Sequence, residues 1–277
     1  MTRVESRLDS AVGEWQLRQY PDAPKRPPPP DSPYRPASLA NGMLSPIVPF
    51  ALRGVVWYQG ESDADWEPRR YDERLRVMME DWRDWWENPS LQFGVVQLAG
   101  FLPPKPEPSD DPWPNLREAQ RDLVDALPHS GLVVTVDIGE ANDIHPQNKQ
   151  EVGRRLSRWA LTDVYDRLEL RGGPVPAKAD FREDRVIIQF AQTGSGLHIL
   201  DGMKVGGFTL AGADGVFVPA EARIEGKTRV VVSAPGLAGP VHVRYAWQNN
   251  PIDANLGNRQ RLPAVPFELM AEAVPAE

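Results

Sequence analysis

The densest concentration of chemically capable residues is Asp143-Ile144-His145-Pro146, inside the polar stretch Asn142–Lys149. His145 is one of 4 histidines, and imidazole is the side chain best suited to take up and return a proton near neutral pH. Asp143, two residues earlier, is close enough to accept a hydrogen bond from the imidazole Nδ1, which would leave Nε2 as a general base. The same residues also read as an N-cap aspartate beside a solvated loop histidine, and alone they do not separate the two readings. Pro146 fits the first turn of a helix, where its missing N–H costs nothing, so His145 is expected at a helix mouth.

A second polar turn, Gln59-Gly60-Glu61-Ser62, admits three readings. Gln59 and the Gly60 amide could donate to an oxyanion, which needs donors fixed where negative charge develops. Gly60-Glu61-Ser62-Asp63-Ala64 also approximates a G-x-S-x-G nucleophile elbow with Ser62 attacking. An elbow needs a helix directly behind the serine, and Pro68 delays any helix to about Arg69. The third reading is a polar turn in which Glu61 makes structural hydrogen bonds. Dinucleotide, phosphate-loop and H-E-x-x-H patterns are absent from the sequence. Asp63-Ala64-Asp65 lacks the glycine and downstream glutamate of a calcium loop, so neither metal nor cofactor is expected. His129, His198 and His242 are expected to be packing or surface residues.

Both turns come after short apolar runs rich in β-branched residues. Leu52–Tyr58, Phe93–Leu98 and Leu132–Asp137 read as strands. Helical spacing comes after each: Tyr71, Leu75, Met78, Trp82 and Trp85; then Leu116, Ala119, Leu123 and Ala126; then Val152, Leu156, Trp159 and Ala160. Apolar strands alternating with amphipathic helices predict a parallel sheet covered by helices. Ligands bind beyond the carboxyl ends of such strands, where the two polar turns fall. After about residue 171 the pattern changes to Val186–Phe190, Val205–Leu210, Val230–Ser233 and Val241–Trp247, separated by Gly-rich turns, which predicts a small antiparallel β-sandwich. Residues 5–20 read as a short helix, and the four consecutive prolines within Lys25–Pro36 favour polyproline II. The expected domains are a lead segment over 1–50, the α/β part over 51–170 and the β region over 171–277.

Composition narrows the classes of partner. The 277 residues carry 41% hydrophobic and 25% charged residues, which describes a globular chain with a real core. A net charge of −8 repels phosphate backbones and anionic lipid, so neither nucleic acid nor a membrane surface is an expected partner. With 0 cysteines, thiol catalysis and thiolate-held metals are excluded. No apolar run reaches the roughly 18–20 residues of a membrane span, and the charged first ten residues do not read as a signal peptide. Prolines number 29; eight lie between Pro21 and Pro36 and six between Pro103 and Pro114, so the excess marks connecting segments.

Taken in order, these motifs resemble the sialate O-acetylesterase family, serine esterases of the SGNH hydrolase type. The resemblance rests on Asn41-Gly42-Met43 with Pro46, on Gly54-Val55-Val56-Trp57-Tyr58-Gln59-Gly60-Glu61-Ser62, on Val96-Gln97-Leu98-Ala99 and on Leu116-Arg117-Glu118-Ala119-Gln120. It continues through Asp137-Ile138-Gly139, Asp143-Ile144-His145-Pro146, Asn148-Lys149 and Val152-Gly153-Arg154-Arg155-Leu156. Ala211–Gly215, Arg244–Trp247 and Asn249-Asn250-Pro251 match more weakly and look like the family's C-terminal β-domain.

The resemblance implies hydrolysis of O-acetyl esters on an acetylated sugar or glycan, with His145 as base and Asp143 as its orienting partner. It implies Gln59 and Gly60 as oxyanion donors, Glu61 as a pocket residue, and a nucleophile other than Ser62. The family's nucleophilic serine lies ahead of the Pro-rich segment on a strand–turn–helix. Residues 1–27 look like the tail of the helical segment behind that serine, with Ser6 and Ser10 on a helix. A partial SGNH-like sheet, truncated and weakly active or inactive, is therefore expected, and the missing N-terminal half of the same enzyme is its implied partner. The alternative is a non-catalytic protein that binds acetylated glycans or another partner. Family likeness points to an extracytoplasmic location.

Overall fold

The computed structural model describes residues 36–48 and 50–271. The helix expected over 5–20, Ser6, Ser10 and the polyproline segment before Pro36 lie outside the described residues. The described residues fall in two compact units, one holding those before Gly54 with Val77–Leu91, the other Gly54–Arg76 with those from Gln92 onward. Both polar turns lie in the second.

Three parallel strands form its first layer: β1 (Gly54–Trp57), β2 (Gln92–Val96) and β3 (Ser130–Val133), in the order β1-β2-β3. Phe93–Val96 of β2 are all buried, as expected of a strand covered on both faces. A helix comes after each strand: α1 (Tyr71–Trp85), α2 (Pro112–Ala126) and α3 (Lys149–Trp159). Trp159 of α3 lies against two strand glycines. A Cβ on Gly94 would come within 2.6 Å of its ring and one on Gly131 within 2.0 Å of its Nε1. Val96, Val133 and Val152 complete that cluster.

The parallel sheet and its helices are those the sequence predicts, with corrections at the boundaries. The third strand ends at Val133 instead of Asp137, and Val136–Ile138 form a 3-10 turn. The cause is competition for backbone groups. The Thr135 hydroxyl donates to the Gln97 carbonyl, and the Thr135 carbonyl accepts from Ile138 N at 3.1 Å, so no further β2–β3 ladder bonds form. In α1 the fully buried methionine is Met79, not Met78, because Tyr71, Leu75 and Met79 are spaced by four. Ala126, expected on the α2 stripe, is exposed. Helix α3 starts at Lys149, with the Asn148 side chain accepting from Glu151 N at 3.2 Å. Pro146 is therefore ahead of the helix, and His145 is four residues from its start rather than at its mouth.

The β region holds β4 (Val175–Phe181), β5 (Val186–Ala191), β6 (Leu197–Ile199), β7 (Phe208–Ala211), β8 (Phe217–Pro219), β9 (Glu221–Glu225), β10 (Arg229–Ser233), β11 (His242–Tyr245), β12 (Leu256–Asn258) and β13 (Phe267–Met270). Two antiparallel sheets, β4-β5-β10-β9 and β13-β11-β7-β8, accompany a β12-β6 pair. Val186, Ile188 and Phe190 alternate inward with Val230 and Val232, and share one core with Phe208, Leu210, Val243, Tyr245 and Phe267 of the other sheet. This is the expected sandwich, with β7 beginning at Phe208 rather than Val205. Among the described residues no helix is long and apolar enough to cross a membrane.

Candidate active site

All three strands run parallel, so the segments after Trp57, Val96 and Val133 emerge on one carboxyl edge. The turn after β1 is held from several sides. Tyr71 donates from its hydroxyl to both the Gln59 carbonyl at 2.9 Å and the Gln59 Oε1 at 2.8 Å, and the Gln59 Nε2 donates to Asp63 Oδ2 at 3.0 Å. Asp63 in turn pairs with Arg74 at 3.0 Å. Burial, with Asp63 and Glu61 nearby, pushes the Tyr71 phenol well above its ordinary range, so it stays a proton donor. One N–H of the Gln59 amide, expected as an oxyanion donor, is thus used in shaping the turn, and the other has no partner among the described residues.

Gly60 is buried, with φ of 143°. Its carbonyl accepts from Asp63 N and Ala64 N at 3.0 and 3.1 Å. Its own N–H has no partner among the described residues, and an N–H left free in a rigid turn suits a developing negative charge. The Glu61 carboxylate is half-buried and likewise makes no hydrogen bond among the described residues. Ser62 is exposed on a 3-10 turn over Glu61–Asp63, and a second 3-10 turn begins at Pro68 before α1. That is not the strand–turn–helix of a nucleophile elbow.

His145 sits on the long loop between β3 and α3, with its side chain exposed. Asp143 Oδ1 accepts from the His145 backbone N–H at 2.8 Å, so the carboxylate holds the loop backbone instead of the imidazole Nδ1. The imidazole has no hydrogen-bond partner among the described residues. The Glu140 carboxylate accepts from Gln147 N at 2.8 Å, closing the loop on its far side. Asp137 makes a two-pronged pair with Arg155, at 2.6 and 2.7 Å, which fixes the start of the loop against α3. Lys149 Nζ, at the start of α3, lies 4.9 Å from the centre of the ring of Tyr58, the residue before Gln59.

The residues that assemble this edge were not singled out as functional by their sequence. Gln120 Nε2 donates to the Gln59 carbonyl at 3.2 Å, and its Oε1 accepts from Leu98 N at 3.1 Å. Arg117 is fully buried and donates to the carbonyls of Leu98, Ala99, Gln248 and Asn249 at 2.7–2.8 Å. Burying a guanidinium costs several kcal/mol. Charge-assisted hydrogen bonds of about 1.5–3 kcal/mol each offset that cost. Burial lowers its pKa to about 9, against the opposing pull of Asp111 and Tyr58, so Arg117 remains charged at neutral pH. The signals present were the Leu116–Gln120 motif of the family resemblance and a charged and an amide side chain at positions 117 and 120 of a buried helical stripe.

From the β region, the Gln248–Asn250 turn reaches the same edge. Asn249 N donates to Asp111 Oδ2 at 3.0 Å, and Asn249 Oδ1 accepts from Trp113 N at 3.2 Å, which ties the turn to the start of α2. Leu102, beside it, has a left-handed backbone with φ of 72°. For a bulky residue this costs on the order of 1–3 kcal/mol. No group of three or more metal-ligating side chains occurs among the described residues.

Residues 37–162 match the family described as carbohydrate esterase, sialic acid-specific acetylesterase. The sialate O-acetylesterase of Homo sapiens is 32% identical over 159 residues, covering 51% of this chain and 30% of that protein. That of Mus musculus is 27% identical over 258 residues, covering 85% of this chain and 47% of that one. The crystal structure of a carbohydrate acetylesterase from Xanthomonas citri superposes with a TM-score of 0.79 at 42% identity, covering 85% of this chain and 54% of the other. The chain thus spans less than half the length of these curated relatives and about half of the structural one.

Proposed function

Because the chain belongs, over residues 37–162, to the carbohydrate esterase family of sialic acid-specific acetylesterases, we propose that it serves in the hydrolysis of O-acetyl esters on sugars, with His145 as general base. The observation that carries this reading is that an unengaged His145 imidazole and an unengaged Gly60 N–H stand on segments that leave the same carboxyl edge of the sheet. In acyl transfer the imidazole accepts the proton of a serine hydroxyl as its oxygen attacks the acetyl carbonyl, and then protonates the departing sugar oxygen. Water repeats the sequence to release acetate. The Gly60 N–H and the remaining Gln59 side-chain N–H donate to the oxyanion, with Glu61 a residue of the pocket. Asp143 holds the base loop through the His145 N–H, and its second oxygen is free to turn toward the imidazole.

We place the nucleophile on a serine-bearing part of the same enzyme that these 277 residues do not supply, and not at Ser62. On that reading the chain alone gives only slow acetyl release. The test is acetate release from O-acetylated sialic acid and from acetylated xylan by the chain and by its His145→Ala form. Loss of a general base is expected to lower the rate about 10²–10⁴-fold, and Ser62→Ala is expected to leave it unchanged. Acetate release that survives His145→Ala would sink the assignment. Binding of the acetylated glycan with no release in any form would favour a non-catalytic binding protein.

A further inference from the structure

Leu102 is neither glycine nor asparagine, and nothing in its side chain favours a φ of 72°. Its backbone is gripped from both sides. Its N–H donates to the carbonyl of Ala141 in the His145 loop at 3.1 Å, and its carbonyl accepts from Asn250 Nδ2 at 2.9 Å. Asn250 is itself buried, and the space around it is full. A Cβ on Gly100 would come 2.5 Å from its Oδ1, and one on Gly139 would come 1.9 Å from the Gly100 carbonyl. Phe101 N donates to the Asn249 carbonyl at 3.1 Å. The strand of backbone Gly100–Leu102 is therefore pressed between the base loop on one side and the Asn249–Asn250 turn of the β region on the other.

We propose that Asn250 is a positioning residue for the base loop, acting through Leu102. Its side-chain N–H holds Leu102 in the left-handed conformation, and that conformation aims the Leu102 N–H at Ala141, two positions before Asp143. The β region would then be part of the catalytic apparatus and not an appended module. The inference rests on the reading of His145 as the base, because that reading makes the loop functional.

Hydrogen exchange measured by mass spectrometry on the whole chain, without substrate, tests the coupling. Losing one neutral hydrogen bond of about 1 kcal/mol corresponds to roughly fivefold faster exchange, which is the change expected over residues 139–147 in Asn250→Ala. The sandwich strands at 186–190 and 230–232 should keep their protection. Adding Leu102→Gly should restore most of the protection at 139–147, because glycine adopts the left-handed conformation without being held there. A general packing loss at Asn250 would not be rescued in this way. If Asn250→Ala fails to fold, Asn250→Asp takes its place, keeping the shape while offering no N–H. Unchanged exchange at 139–147 in the folded variant, or loosening that persists equally with Leu102→Gly, would overturn the proposal. Since no substrate is used, such a result leaves the hydrolase reading intact, and absence of acetate release leaves this coupling intact.

Discussion

Arg117 Nη2 donates to the Asn249 carbonyl at 2.8 Å, joining the second helix to a turn 132 positions later in the chain. The same guanidinium takes the carbonyls of Leu98 and Ala99 in the segment that leaves β2, so one buried cation ties that segment, the helix and the β region together at the candidate site. The arrangement is directional. A guanidinium can reach four carbonyls from one position, and a lysine ammonium cannot.

Arg117→Met keeps much of the volume and leaves those carbonyls without donors. Each unsatisfied group costs about 1–3 kcal/mol, with incomplete additivity. The expected loss is about 3–5 kcal/mol, read from the midpoint of urea unfolding. A midpoint close to that of the parent would mean that water replaces the guanidinium and that the clamp contributes little.

Gly60→Ala places a Cβ 2.8 Å from Leu116 Cδ2, on a backbone with φ of 143° that side chains rarely adopt. Strain and overpacking of about 1–3 kcal/mol each predict a destabilisation of roughly 2–5 kcal/mol. The turn that holds the unengaged N–H should shift with it, so acetate release should fall even below the unfolding temperature. An alanine variant with parent-like stability and turnover would show that Gly60 is not confined.

Asp143→Asn separates two roles of one carboxylate. The asparagine Oδ1 can still accept from the His145 N–H, a bond of 2.8 Å in the parent, so the loop should keep its exchange protection. The negative charge that would stabilise an imidazolium is lost, and turnover should drop by about 10²-fold or more. Asp143→Ala should lose both. Equal turnover in Asp143→Asn and the parent would restrict Asp143 to a backbone cap.

Glu118 gives the protein a pH dependence on the alkaline side. Burial lifts its carboxyl to about 8, opposed by Arg121 and aided by Asp122 and Glu268 of β13. A folded value above the ordinary 4.5 means stability that is full below pH 4.5 and is lost as pH rises from 4.5 through 8. Glu151 acts in the opposite sense: Arg154 and Arg155 hold it at about 2, so its contribution is present above 4.5 and lost as pH falls through 2. Urea titrations at pH 5 and pH 8 should show the parent weaker at pH 8 by a few kcal/mol, at a limit of about 1.4 kcal/mol per pH unit. Glu118→Gln should remove most of that difference. A persistent difference would place the titrating group elsewhere.

By itself the sequence determined the kinds of element, their order and the two polar turns on the carboxyl edge. Valine-rich runs such as Val230–Val232, the stripe Leu116–Ala119–Leu123 and the polar turns behind β1 and β3 are written in spacings of two to four residues, which are local. What neighbours decide across the fold was not legible. Strand β3 stops at Val133 because the Thr135 hydroxyl and Ile138 N–H claim carbonyls that the ladder would otherwise use, and Asp143 spends an oxygen on the His145 N–H instead of the ring. Arg117, Gln120 and Asn250 assemble the edge through carbonyls whose own residue types leave no trace in the pattern, since any residue offers the same carbonyl. Only the closed chain brings Asn250 to Leu102, 148 positions away, and only there does a leucine acquire a left-handed backbone that its sequence gives no reason to expect.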